Sequence, residues 1–221
     1  MRALNSLIAL TLLVALPAAA QQRGEHLTYR IQHQLWGDIG TLTEDILSDG
    51  DVTKVTAGID VHVAMFGITL HEVHGQWEEV WRDGCLQKFD ATTVADTETE
   101  IIVGRRTDSM FVIRSGETRS EAPPDVQPVY PWSLQFVHAS TLMSPETGRV
   151  FSAVVDDKGS AAVRLGGRVA SLHHYVVKAN GAHHLYFDPA GRLVRTEFAD
   201  LTGHVSITLV PPEEITLAAA R

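Results

Sequence analysis

The stretch LTYRIQHQLWGDIGTLTEDIL, Leu27–Leu47, decides the fold class of this chain. Apolar side chains recur at every second position, first at Leu27, Tyr29 and Ile31, with polar residues between them. A period of two sends alternate side chains to opposite faces of a β-strand. Gly37-Asp38 then supplies a turn, so the stretch predicts a hairpin that buries one face.

The same pattern predicts how the two strands of this hairpin pair. A two-residue turn sets Trp36 opposite Ile39. Further along the strands, the same register sets Tyr29 opposite Ile46 and puts His33 on the apolar face. Because buried polar groups are almost always hydrogen-bonded, we interpret His33 as a hydrogen-bonded core residue rather than a ligand-binding one.

Turn signals recur down the rest of the chain and predict a run of sequential hairpins. Asn-Gly and Asp-Gly pairs tolerate the positive φ that tight hairpin turns require. Sequential hairpins predict a mainly β fold, a single curved antiparallel meander that forms a half-barrel or barrel-like sheet and so limits its exposed edges. The turn candidates are Asp49-Gly50-Asp51, Asp83-Gly84, Ser115-Gly116, Lys158-Gly159, Gly166-Gly167, Asn180-Gly181, Asp188-Pro189-Ala190-Gly191 and Thr202-Gly203.

Residues 121–131 break the strand pattern with four prolines, which predict an extended loop. Pro131 can then begin a helix, because the N–H that it lacks has no helical partner at that position. We expect one short helix near residues 132–142, with Trp132, Phe136 and Leu142 facing the sheet.

Residues 1–20 have the order of an export signal. The basic residue Arg2 precedes an apolar stretch from Leu7 to Leu16, and small residues end at Ala20. We expect a signal peptide over 1–20, cleaved after Ala20, and a single β-rich domain over 21–221. The protein is therefore expected to be a soluble component of the periplasm or to be secreted.

Charge and composition argue against several kinds of partner. The formal net charge is −9 and no basic stripe occurs, so we expect no binding to nucleic acid, which depends on neutralised phosphates. After the signal, no segment approaches a length of about 20 apolar residues, which a membrane-spanning helix needs. Cys85 is the only cysteine, so we interpret it as a small half-buried apolar side chain.

The segment around Glu79 is the most distinctive one for chemistry. Trp77, Glu79 and Trp81 share one strand face, so the carboxyl group lies between two indoles. Burial there would raise the pKa of Glu79 and could create a catalytic acid. A two-residue turn at Asp83-Gly84 instead sets Glu79 opposite Lys88, and we favour this cross-strand ion pair.

Two histidine pairs, His173-His174 and His183-His184, flank the Asn180-Gly181 turn. A two-residue turn would hold the nearest cross-strand histidines roughly 13 Å apart, whereas zinc holds its imidazole nitrogens at about 2 Å. We therefore expect no metal site here and predict a hydrogen bond between His173 and Asp188.

Local catalytic motifs are missing from the sequence. It contains no Gly-x-Ser-x-Gly elbow, phosphate-binding loop, Cys-x-x-Cys pair or calcium loop. We expect no cofactor, name no catalytic residue, and regard an enzymatic function as the less favoured hypothesis.

Three blocks of sequence resemble a family of secreted proteobacterial domains of unknown function. The blocks are Met65–Thr69, Glu78–Gly84 and Tyr186–Val194, and the opening Leu27–Gly40 extends the resemblance over most of the chain after residue 20. This resemblance implies no activity, cofactor or catalytic residue. In architecture, the predicted sheet is similar to the periplasmic lipoprotein-carrier half-barrels, in which a curved antiparallel sheet wraps a short helix and shelters acyl chains.

The architectural likeness implies a binding function. A half-barrel that its own side chains do not fill can hold an apolar molecule such as a lipid or an acylated protein. The candidates for lining such a site are Trp77, Trp81, Trp132 and Phe136, which could instead fill the core. An envelope structural or protein-interaction module without a small ligand, and an enzyme of unknown class, remain as alternatives, and the oligomeric state is open.

Overall fold

The structure is a computed structural model, and it describes residues 23–211. Within that range, 13 strands form one large sheet and three short strands form a second. The first strands of the large sheet are β1 (Arg23–His33), β2 (Gly37–Asp49), β3 (Val52–Met65), β4 (Ile68–Arg82), β5 (Cys85–Ala95), β6 (Glu98–Arg106), β7 (Phe111–Ser115) and β8 (Thr118–Ala122).

The chain then leaves the large sheet and returns to it. The small sheet consists of β9 (Gln127–Pro128), β10 (Thr141–Met143) and β11 (Val150–Ser152), with a 3-10 helix, Leu134–His138, between the first two. The large sheet continues with β12 (Val154–Leu165), β13 (Arg168–Lys178), β14 (Ala182–Phe187), β15 (Leu193–Ala199) and β16 (His204–Leu209).

The large sheet is an open antiparallel meander, and we call strands β12–β16 and strands β1–β8 its two arms. Its order is β12-β13-β14-β15-β16-β1-β2-β3-β4-β5-β6-β7-β8, so β16 joins β1 and the edges are β12 and β8. Every neighbouring pair is antiparallel. The predicted mainly β, curved antiparallel meander is confirmed, and the sheet does not close.

Residues 123–153, which we call the insert, pack against the inner face of the large sheet. Tyr130 stacks on Trp77 of β4 with ring centroids 5.6 Å apart. Phe136, Leu142 and Met143 are buried in the same core as residues of both arms of the sheet. Because the insert touches both arms, the sheet curves around it, and one hydrophobic core forms between them.

The predicted helix is shorter and tighter than expected. It is a 3-10 helix of five residues, and both flanking residues, Ser133 and Ala139, are extended. Leu142 lies in β10 instead, because the backbone there hydrogen-bonds to β9 and β11. Phe136 and Leu142 are nevertheless buried, at 3% and 2% exposure.

The first hairpin forms with a different register from the predicted one. The turn contains three residues, 34–36, so His33 pairs with Gly37 and Tyr29 pairs with Leu42. Gly37 adopts a φ of 70°, which closes this longer turn, and a bulge after Ile31 shifts the ladder further. The predicted pairing of Trp36 with Ile39 is therefore wrong, whereas the inward face of the strand was predicted correctly.

A second turn prediction also fails. Lys158-Gly159 lies inside the edge strand β12, where the pairing with β13 shifts between Asp157 and Gly159. This position is a β-bulge, a feature that makes an edge strand a poor template for further pairing.

The predicted signal peptide over 1–20 and its cleavage site after Ala20 lie outside the described residues, and the single-domain boundary at 21–221 stays a prediction. Within residues 23–211, no helix has the length and apolar character to cross a bilayer. Cys85 is half-buried with a free thiol.

Candidate ligand-binding site

An apolar cavity of about 200 Å³ lies between the insert and strands β13–β15. We call it the inner cavity. Val177, Leu185 and Phe198 line it from the sheet, and Phe136 and Leu142 line it from the insert. The strand alternation produces this wall, because it sends these large apolar side chains inward.

A second cavity of about 480 Å³ adjoins the first. This outer cavity is lined by inward-facing residues of β1–β4 and β16, such as Ile31, Ile59 and Ile207. Both cavities share Tyr130, Glu146 and Phe198 as walls. The two cavities therefore adjoin at these residues. The outer cavity lies within the size range of small-molecule sites, about 300–1,000 Å³, and the inner cavity is smaller.

The β3–β4 hairpin forms one wall of the outer cavity and projects beyond its neighbours. Its own pairing runs to Met65 and Ile68, while the ladder with β2 ends at Val61 and that with β5 ends at Val73. Val61 and Val73 line the cavity, and Phe66 at the tip is 94% exposed.

A hydrogen-bonded polar group lies where the two cavities meet. The Tyr130 hydroxyl donates to Oε1 of Glu146 at 2.8 Å, and the Ser144 hydroxyl donates to Oε2 at 2.7 Å. Burial raises the pKa of Tyr130 well above its ordinary value, and the negative charge of Glu146 raises it further, so the phenol stays protonated. Nearby, burial lowers the pKa of His183, as does the neighbouring His184. An apolar cavity with a few convergent polar groups has the composition of a small-molecule site.

The four residues predicted to line a ligand site are not brought together at these cavities. Phe136 lines the inner cavity. Trp77 and Trp81 are 4% and 3% exposed and lie in the packed core, and Trp132 packs edge-on against Trp81 with ring centroids 5.6 Å apart. The tryptophans thus surround Glu79 rather than the cavities.

Glu79 is a fully buried carboxyl group held by indoles. Trp77 Nε1 donates to Oε1 at 3.1 Å, and Trp81 Nε1 donates to Oε2 at 2.7 Å. Burial raises the pKa of Glu79 to about 7, although hydrogen bonds from Trp81, Trp77 and Trp132 oppose the rise. Burial thus raises this pKa, as the less favoured of the two interpretations of this segment, a catalytic acid, required.

The predicted ion pair between Glu79 and Lys88 is wrong. A bulge between Val80 and Trp81 shifts the β4–β5 register, so Glu79 faces Phe89. One extra residue moves Lys88 to the other face of the sheet, where its amino group lies 3.0 Å from Oε1 of Glu78.

Glu44 is a second buried carboxyl group, and the sequence analysis missed it. It is 3% exposed, and its Oε2 atom has no hydrogen-bond partner within residues 23–211. Burial raises its pKa to about 8, and the charge of Glu79 contributes in the same direction. The signal was present in the sequence, because Glu44 shares its strand face with Leu42 and Ile46.

The hydrogen bond predicted between His173 and Asp188 is wrong. Three residues, 179–181, separate the paired Lys178 and Ala182, so His173 pairs with Phe187 and its Nε2 lies 2.7 Å from Oδ1 of Asp157. The same shift brings His174 Nε2 within 3.0 Å of His184 Nδ1, far closer than the predicted separation. Among residues 23–211, no group of three or more His, Cys, Asp or Glu residues is arranged to hold a metal ion.

His33 is a hydrogen-bonded core residue, as predicted, and it is 4% exposed. Its Nδ1 accepts the Leu35 N–H at 3.0 Å, so in the neutral ring Nε2 carries the proton and donates to the Thr202 hydroxyl at 3.1 Å. Thr202 in turn donates to Asp200 at 2.9 Å.

The sequence analysis also missed Tyr130, Glu146, His183 and Phe198. Alternation along β14 and β15 indicates inward positions for the last two, but Tyr130 and Glu146 lie in the insert, where no periodic pattern marks them.

Comparison with solved structures bears on the fold, and comparison with family models gives the family. No curated protein matches this chain. The structure is similar to that of a "Beta-barrel-like Protein of Domain of Unknown Function DUF1849 from Brucella abortus", with a TM-score of 0.61 and 10% identity over 85% of this chain and 95% of that one. At that identity the likeness is one of fold alone. Residues 37–210 match the family described as a domain of unknown function, DUF6134. The chain therefore belongs to the DUF6134 family.

Proposed function

We propose that this protein binds an apolar or amphipathic small molecule, such as a lipid or the acyl chain of an acylated protein. One observation carries the proposal: the two adjoining apolar cavities, of about 200 and 480 Å³, between the insert and the sheet. Protein interiors are normally packed with few voids larger than a water molecule. Concave, largely apolar spaces of this size, which the side chains of the protein leave open, are suited to hold an apolar molecule.

We further propose that the protein acts after export, in the periplasm or outside the cell. The order of basic, apolar and small residues in 1–20 supports export. The resemblance to secreted proteobacterial domains supports the same compartment. The single cysteine is compatible with an oxidising compartment, because one thiol cannot form a disulfide within the chain.

The first experiment is native mass spectrometry on protein that was exported with its own signal and purified without detergent. We expect an extra mass that disappears on denaturation. As a second readout, the neutral probe N-phenyl-1-naphthylamine should gain fluorescence on binding.

A cavity-filling variant sharpens the experiment. Ala179 lines the inner cavity, so Ala179→Leu should fill part of it and weaken probe binding. The matched control is Ala162→Leu, the same change at an exposed position of β12. Equal binding by both variants and wild type would place the probe outside the inner cavity and overturn the assignment of the site. No binding by any of the three proteins would refute the proposal and favour the interaction module without a small ligand.

A further inference from the structure

The two cavities are short of positive charge. Among residues 23–211, no lysine or arginine lines either of them, whereas the carboxylates of Glu146 and Asp200 do. The guanidinium of Arg149 sits 5.7 Å from the centre of the Phe151 ring. Arg149 lines a surface pocket that Glu146 also borders, but it does not line either of the two cavities.

Three histidines line the cavities, and two of them, His33 and His71, are already engaged with other protein groups. Burial lowers the pKa of His183, which keeps its ring neutral at neutral pH. Both ring nitrogens of His33 are engaged, with Leu35 N–H and the Thr202 hydroxyl. Nδ1 of His71 lies 3.0 Å from a carboxylate oxygen of Asp96.

Glu146 is placed to meet the polar end of a ligand. It lies at the wall that the two cavities share, so a molecule that occupies both must pass it. Each carboxylate oxygen accepts one hydroxyl proton, from Tyr130 and Ser144, and retains a further lone pair. Asn180 and His183, which also line the inner cavity, can offer only neutral hydrogen bonds.

We infer that the ligand carries a cationic or neutral hydrogen-bond-donating group, such as a primary amine or a hydroxyl, and not a carboxylate or phosphate. This inference rests on the proposed function and names the ligand class of the same site. An anionic group would lie beside Glu146 in an apolar cavity with no cation to pair with, which is strongly unfavourable. An ammonium or hydroxyl group would instead form a charge-assisted hydrogen bond to the carboxylate.

Three ten-carbon compounds that differ only in the polar end test the inference. Decylamine, decanol and decanoate compete with N-phenyl-1-naphthylamine at pH 8, well above the ordinary pKa of imidazole, about 6.5. We expect decylamine and decanol to bind at least about tenfold more tightly than decanoate, because unpaired like charges cost several kcal/mol at a binding site.

Two variants and a control assign the selectivity to the cavity charge. Glu146→Gln should weaken the binding of decylamine most, weaken that of decanol less, because the amide oxygen still accepts a hydrogen bond, and strengthen the binding of decanoate. Glu117→Gln removes the same charge at an exposed turn and should change none of the three. Leu70→Lys adds a cation at a half-exposed position of the outer cavity, so it should strengthen the binding of decanoate. This variant keeps the inference testable if Glu146→Gln does not fold.

The outcomes separate the two proposals. Decanoate binding as tightly as decylamine and decanol would overturn this inference while leaving the proposed function intact. Failure of the probe and of all three compounds to bind would refute the proposed function and the inference with it.

Discussion

At the scale of single residues, Glu44 and Glu79 decide how stability depends on pH. Burial raises the pKa of Glu44 from 4.5 to about 8 and that of Glu79 from 4.5 to about 7. Between pH 4.5 and these values the folded protein keeps both protons, while the unfolded chain has released them. The free energy of unfolding therefore falls as pH rises through this range and is flat with respect to Glu44 above about pH 8.

Glu44→Gln tests this dependence, because it keeps the shape of the side chain and removes its titration. Between pH 5 and 8, we expect the free energy of unfolding of the variant to fall less steeply than that of wild type, by on the order of 1 kcal/mol per pH unit. Urea unfolding at several pH values measures both slopes. Glu117→Gln, at an exposed turn, is the control, and identical slopes for Glu44→Gln and wild type would contradict the assignment.

At the scale of elements, the pairing of β2 with β3 depends on Gly40. A Cβ atom there would lie 1.9 Å from the carbonyl oxygen of Asp60, a backbone atom that cannot turn aside like a side chain. Gly40 also lies beside the bulge that shifts the register of the first hairpin, because it pairs with Ile31, the last residue before that shift. The residue therefore permits the close approach of two strands that wall the outer cavity.

Gly40→Ala should destabilise the protein by several kcal/mol, because the backbone of β3 must move to admit the methyl group. Gly167→Ala is the matched control: nothing lies within 4 Å of its added Cβ, and its φ is not in the left-handed region. We expect that control to be neutral or stabilising by up to about 1 kcal/mol. Thermal unfolding compares the two variants. Similar midpoints would show that β2 and β3 can move apart to admit the methyl group without a loss of stability, which would contradict the prediction.

Also at this scale, the strands were predictable and their partners were not. The alternation of Leu27, Tyr29 and Ile31 correctly assigned the inner face of β1, because side-chain direction is a local property of extended backbone. The predicted pairing of Glu79 with Lys88 was wrong, because a single bulged residue turns the side chains beyond it to the opposite face of the sheet. Nothing in the local composition near Val80 marks that bulge.

At the scale of the whole molecule, the open sheet and the insert together produce the cavities. The outer cavity is bounded by residues of both arms of the sheet, whereas the inner cavity is bounded by the insert and strands β13–β15. A molecule that occupies both cavities should therefore stabilise the whole fold and not one hairpin, since it binds only when the insert and both arms are in place.

Decanol should raise the free energy of unfolding by about 2.7 kcal/mol at a free concentration of 100 times its dissociation constant. The measurement is urea unfolding of detergent-free protein with and without decanol. Ala179→Leu should show a smaller gain at the same concentration, whereas Ala162→Leu should behave as wild type. Stabilisation of equal size in all three proteins would place decanol outside the inner cavity.

The sequence by itself determined the mainly β fold, the inward faces of the strands and the burial of His33, because each follows from alternation over a few residues. Only the tertiary structure decided the strand registers, the open edges and the two cavities. The physical reason is that the cavities depend on contacts between residues far apart in the chain: Glu146 in the insert meets Phe198 of β15 and Ile31 of β1 around the same space. No local pattern encodes such a meeting, since it exists only once the sheet has curved around the insert.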